Sequence, residues 1–118
     1  MSLIVDMKTL ISGTVYLDDM PDTPDNVVAL YHSGGYPRDL SGGMVEEPTF
    51  QVRVRNASAA TALTKCETIK DALHGVVEQT INGNRYLLIA QMGDIQNMGK
   101  DSRGRPEYSM NFRVYVER

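Results

Sequence analysis

Apolar residues recur at Leu3, Ile4, Met7, Leu10 and Ile11, the i, i+1, i+4, i+7, i+8 spacing of one helical face. With Ser2 placed to cap it and Gly13 to stop it, the pattern predicts a helix over residues 2–12. Residues 17–26, LDDMPDTPDN, hold two prolines and four aspartates and read as a loop. A short apolar run, Val27–His32, then reads as a strand covered on both faces.

Residues 33–48 contain Gly34-Gly35, Pro37, Gly42-Gly43 and Pro48, the marks of a long functional loop. Thr49–Arg55 alternates cleanly: Phe50, Val52 and Val54 face one way, Gln51, Arg53 and Arg55 the other. Ser58 opens a second predicted helix whose apolar stripe is Ala59, Ala62, Leu63, Cys66, Ile69 and Leu73, and Gly75 closes it.

Val76–Ile81 and Asn84–Met92 flank Asn82-Gly83, a strong hairpin signal because a type I′ turn wants positive φ at both central residues. Residues 93–106 carry three glycines and mixed charge and read as a second long loop. Glu107–Glu117 alternates throughout, with Tyr108, Met110, Phe112, Val114 and Val116 on one face and Ser109, Asn111, Arg113 and Tyr115 on the other.

The expected order is α-β-β-α-β-β-β. Such a chain buries itself as an α+β domain: a largely antiparallel sheet of about four to five strands with both helices on one face and the other face polar. One domain spans residues 1–118, a length that supports a real core without staples.

Composition narrows the function classes. The net charge of −3 gives no global field toward nucleic acid. The opening MSLIVDMKTL is broken by Asp6 and Lys8 and does not read as a signal peptide, and no apolar run approaches a membrane span. A lone cysteine fits a reducing compartment.

Candidate chemistry is sparse. Cys66 is in phase with the apolar stripe of its helix, where burial makes a thiol inert. His32 ends a strand, and His74 beside Gly75 suits the negative end of a helix dipole. Two histidines and one cysteine are too few for a zinc site, and the aspartates of residues 17–26 lack the spacing of a calcium loop. Gly99–Arg105 resembles a phosphate loop only superficially, since Arg105-Pro106 leads into a strand and not a helix. No catalytic residue, cofactor site or metal site is assigned.

The arginines are more informative. Arg53 and Arg55 share one strand face and Arg113 lies on the polar face of another, an arrangement suited to bidentate pairing at an interface. Glu46, Glu47, Asp94 and Asp101 on the predicted loops are their candidate partners in a neighbouring copy, and a head-to-tail contact of that kind closes into a ring. Lys100, Arg103 and Arg105 complete the candidate interface set.

Several signatures occur in order: Pro21-Asp22, Pro24-Asp25-Asn26, Ala29-Leu30-Tyr31, Gly34-Gly35, and Pro48 through Arg55. Leu73-His74-Gly75, Ile81-Asn82-Gly83, Gly99-Lys100-Asp101, Gly104-Arg105-Pro106-Glu107 and Asn111-Phe112 follow. Together they resemble the tail terminator or minor capsid proteins of long-tailed bacteriophages, over about residues 20 to 118; residues 42–47 match least. The resemblance implies a non-enzymatic protomer that forms a six-fold ring on the end of a non-contractile tail tube. It further implies that the ring stops tube polymerisation and presents a docking surface to the head connector, with DNA passing through as cargo. The expected partners are other copies of itself, the tube protein and the connector; the expected location is the head–tail junction of the virion, reached from the host cytoplasm during assembly. No cofactor and no membrane are implied. A head-completion or connector protein of the same particle is the alternative, and a small ligand-binding or enzymatic α+β domain is disfavoured for want of a nucleophile with a base.

Overall fold

The structure, a computed structural model, describes residues 3–35 and 45–117. Its elements are α1 (Leu3–Lys8), β1 (Tyr16–Leu17), β2 (Val27–Gly35), β3 (Val45–Glu46), β4 (Pro48–Arg55), α2 (Ala59–Leu73), β5 (Val76–Ile81), β6 (Asn84–Lys100) and β7 (Pro106–Glu117). They form one seven-stranded sheet in the order β1-β2-β4-β7-β6-β5, with β3 pairing β7 off that path. The α+β class stands, but the sheet is larger than four to five strands and is mixed, because β1 runs parallel to β2. The two additional strands are two residues each, too short to show any period.

The long second loop is also corrected. Residues 93–100 continue β6 as a polar strand, and only residues 101–105 turn the chain into β7. Register shifts between Met92 and Gln96 and between Asn97 and Lys100 scramble the alternation there, with Gly93 and Gly99 at positive φ. Of residues 33–48, Ser33–Gly35 belong to β2, Val45–Glu46 to β3 and Pro48 to β4, with Glu47 linking the last two; residues 36–44 of that expected loop lie outside the described residues.

Both helices pack on one face. Cross-strand partners Val28↔Val54↔Tyr108 and Leu30↔Val52↔Met110 place the inward side chains of three strands in rows, with Phe50↔Phe112 continuing them on β4 and β7. Leu3, Ile4, Met7 and Ile11 from the N-terminal segment and Ala62, Cys66, Ile69 and Leu73 from α2 join them in one core. α1 itself is shorter than predicted: after Lys8 the chain tightens into i→i−3 bonds, Thr9 to Asp6, Leu10 to Met7 and Ile11 to Lys8. In α2, Ser58 caps the start by accepting from Thr61 N–H, whereas Ala59 and Leu63 face solvent, Leu63 at 40% exposure. The buried stripe of α2 is Ala62, Cys66, Ile69 and Leu73.

One polar group is deliberately inside the core. Asp6, 2% exposed, accepts hydrogen bonds from Asn82 Nδ2 at 2.7 Å, Asn84 Nδ2 at 2.9 Å and the Tyr86 hydroxyl. Burial pushes the carboxyl up, but the hydrogen bonds from Tyr86, Asn82 and Asn84 outweigh it and hold the pKa below its ordinary value. Burial, reinforced by the Asp6 carboxylate, raises the Tyr86 phenol. These bonds tie α1 to the β5–β6 hairpin, whose Asn82-Gly83 turn has φ of 51° and 81°, as a type I′ turn requires.

Candidate functional site

The face of the sheet opposite the helices is built by β4 and β7. Gln51 Nε2 donates to Asn111 Oδ1 at 3.4 Å, and Arg53 Nε donates to Gln51 Oε1 at 2.7 Å. The Arg53 guanidinium lies 5.0 Å from the Tyr31 ring centroid, and that of Arg113 lies 5.2 Å from the Tyr115 ring. Arg113 also pairs with Glu47 at 2.8 Å. Glu47 was expected to reach a neighbouring copy, yet within the protomer it closes on Arg113. Glu46 sits on β3 beside Val116 and is half-buried.

Arg55 departs from the expected exposed row. It is 4% exposed and reaches past the sheet edge to the carbonyl oxygens of Pro21, Pro24 (2.8 Å) and Asp25 (3.1 Å). The reason is its register. Arg55 pairs with Val27, the first residue after the aspartate–proline loop, so its side chain lies at that loop's foot. A segment this rich in aspartate has few apolar side chains with which to hold a shape, and its inward carbonyls need donors; a guanidinium supplies up to five from one side chain.

Arg105 acts on the same loop from the other side. It is 6% exposed and donates to Asp101 Oδ2 at 2.8 Å, Asp22 O at 2.6 Å, Asp22 Oδ1 at 2.9 Å and Asp25 Oδ1 at 3.1 Å. Arg103, exposed, adds a pair to Asp22 at 2.8 Å. Asp101 accepts from the backbone N–H groups of Arg103 and Arg105, which turns the β6–β7 tip. The Arg105 backbone and side chain bring its carboxyl down to about 2, and hydrogen bonding to Asp101 raises Arg105 in turn. Two of the loop aspartates, Asp22 and Asp25, are therefore partners of arginines as well as turn formers.

Thus the ten candidate interface residues fall in three places. Arg53, Arg113 and Glu46 lie on β4, β7 and β3, with Glu47 between β3 and β4; Arg55, Asp101, Arg103 and Arg105 surround the aspartate–proline loop; Asp94 and Lys100 are exposed on β6. The clamp of Arg55 and Arg105 was invisible in the sequence because it needs the β2–β4 and β4–β7 pairings to bring residues 22, 55 and 105 together. The available signal was compositional only, acidic residues at 22 and 25 and basic ones at 55, 103 and 105.

The groups considered for chemistry are in structural roles. Cys66 is fully buried, and burial pushes its thiol up to about 11. His74 is the C-cap of α2, at the helix end expected for it, and its ring Nδ1 accepts the Gln91 N–H at 3.0 Å. His32 pairs with Asp18 at 2.9 Å. A cavity of about 260 Å³ opens at one end of the sheet, over Val28 and Val54 and beneath Thr14, Thr61 and Lys65.

A family model described as bacteriophage tail terminator protein matches residues 2–118. The chain belongs to the bacteriophage tail terminator family. Among solved structures, a chain from "Virion of native gene transfer agent (GTA) particle" shares the terminator protein's fold, with a TM-score of 0.63 and 21% identity over 95% of this chain and 84% of that one. No curated protein sequence matches. This terminator protein is accordingly a structural component of a phage tail, and its N-terminal helix falls within the family match.

Proposed function

We propose that this protein ends the growth of a long, non-contractile tail tube by assembling on it as a six-fold ring, and that the ring then offers the surface on which the head connector docks. Family membership across residues 2–118 carries the reading. The protein works by surface complementarity without cofactor or bond-making, one side of the ring matched to the last tube layer and the other to the neck at the head–tail junction. Protomers assemble in the host cytoplasm, and DNA later passes through the opening.

The protomer supports the reading with pre-shaped contact surfaces. Arg53, Asp94, Lys100 and Arg103 are accessible to neighbours, while Arg55 and Arg105 act from inside by shaping the loop beside them. Deleting the gene tests the proposal: particles lacking the protein should carry overlong tails that fail to join heads. Tails of normal length that fail to join would instead indicate a head-completion protein, and unaffected particles would refute both.

A further inference from the structure

Asn82-Gly83, which turns the β5–β6 hairpin, is the one asparagine–glycine pair in the 118 residues, and such a pair carries a chemistry of its own. The backbone nitrogen that follows an asparagine can attack the side-chain Cγ, and a Cβ on the following residue hinders the approach. Gly83 has none, and the space where one would stand meets no atom within 4 Å. Both residues are exposed, so water reaches them. The other asparagines precede Val27, Ala57, Arg85, Met98 and Phe112, each of which is hindered. The reaction balances with water alone. Gly83 N bonds to Asn82 Cγ, the Cγ–Nδ2 bond breaks, and the side-chain nitrogen leaves as ammonia, giving a cyclic imide. Water then opens the imide at either carbonyl, leaving aspartate or isoaspartate at position 82.

In this fold the nitrogen that has to leave is the one Asp6 holds. Asn82 Nδ2 donates to Asp6 Oδ1 at 2.7 Å, while Asn84 Nδ2 and the Tyr86 hydroxyl donate to Oδ2. To depart as ammonia, Nδ2 must gain a proton and let go of that carboxylate, so the reaction waits for α1 to lift from the hairpin. α1 has six residues and continues only in i→i−3 bonds, and so short an element opens locally at lower cost than the sheet. The product is not held in the same way. A carboxylate at position 82 faces Asp6, itself 2% exposed, and exchanges a donor for a like charge.

We infer that Asn82 is a deamidation site latched by Asp6: docked α1 preserves the amide, and each opening of α1 exposes it to conversion into a carboxylate that keeps α1 from docking again. The change is one-way, so it marks protomers whose α1 has been free. The test incubates native wild type, urea-unfolded wild type and Asp6→Asn at mildly alkaline pH and follows the peptide spanning Asn82 by mass for amide-to-acid conversion. Native wild type should convert at least roughly tenfold more slowly than the unfolded chain, as a reaction gated by local opening does. Asp6→Asn should approach the unfolded rate although its melting transition persists. Equal rates in native and unfolded wild type would overturn the latch, as would an Asp6→Asn rate no faster than native wild type. If Asp6→Asn has no melting transition, Tyr86→Phe, which removes one of the donors to Asp6, takes its place with the same two outcomes. An unfolded chain that converts no faster at Asn82 than at Asn84 would overturn the site itself. Asn82→Asp supplies the product directly. Its α1 amides should exchange with solvent at least roughly tenfold faster while β7 stays protected, the scale of one buried acceptor left without its donor; unchanged α1 exchange would overturn the claim that the carboxylate keeps α1 off.

Discussion

Replacing Phe112 by alanine tests the register on which the core depends. Phe112 is fully buried on β7 and stacks on Phe50 of β4, its direct cross-strand partner, with ring centroids 5.3 Å apart and planes 14° from parallel. Removing a buried aromatic ring costs about 3–5 kcal/mol in lost transfer energy and residual cavity. The stacked pair accounts for about 0.5–1.5 kcal/mol beyond burial. For a chain of 118 residues, with an unfolding entropy of about 2.1 cal/mol/K per residue, that loss lowers Tm by roughly 12–20 °C. Calorimetry on wild type, Phe112→Ala, Phe50→Ala and the double variant measures both quantities, since a double-mutant cycle isolates the pair term. An unchanged Tm in Phe112→Ala would overturn the strand phase, and strictly additive single losses would overturn the stack.

Other perturbations separate surface from scaffold. Arg53→Glu should cost about 0.5–1 kcal/mol of stability, the value of an exposed cation–π contact, yet abolish tube capping; normal assembly would remove Arg53 from the interface. Arg55→Glu should instead cost at least ~3 kcal/mol, because it deprives three carbonyls of their donor and buries an unpaired charge, and wild-type-like urea denaturation would contradict the clamp. Asp101 titrates at about 2 in the fold against an ordinary 3.8; its stabilisation is present above the unfolded value and is lost as pH falls between them. Asp101→Asn should therefore flatten the stability profile across that window, and superimposable profiles would count against the pairing. Gly35→Ala would set a Cβ 2.6 Å from Pro48 Cα, so a measurable drop in Tm is expected where β2 meets β4.

Much of this fold was legible because it obeys a period or a local rule. The β7 alternation put Tyr108, Met110, Phe112, Val114 and Val116 inside, where they are, and Ser58 and Asn82-Gly83 act as their chemistry dictates. The misses have a common cause, which is dependence on distant partners. Residues 93–100 form a strand through pairing with β7 despite glycines and polar side chains, and β1 and β3 are strands only because β2 and β7 lie beside them. Arg55 sits in a polar phase and is nevertheless buried, since burial there follows from a loop that folds back over the sheet edge. Asp6, spaced among apolar residues of α1, finds its three donors some eighty residues away in Asn82, Asn84 and Tyr86. The interface candidates were chosen by charge, and charge alone does not distinguish Arg53, which remains accessible, from Arg55.

The arginine clamp divides the aspartate–proline loop into what shapes it and what it displays. All three Arg55 contacts go to main-chain oxygens, a feature every residue type shares. Asp18, Asp22 and Asp25 are held through their side chains, but Asp19 and Met20 are free to change while the path of the chain is kept by a residue some thirty positions away. Substitutions at Asp19 or Met20 would then change what the loop displays at little structural cost. The loop is also ordered before any partner arrives, so docking forfeits less chain entropy.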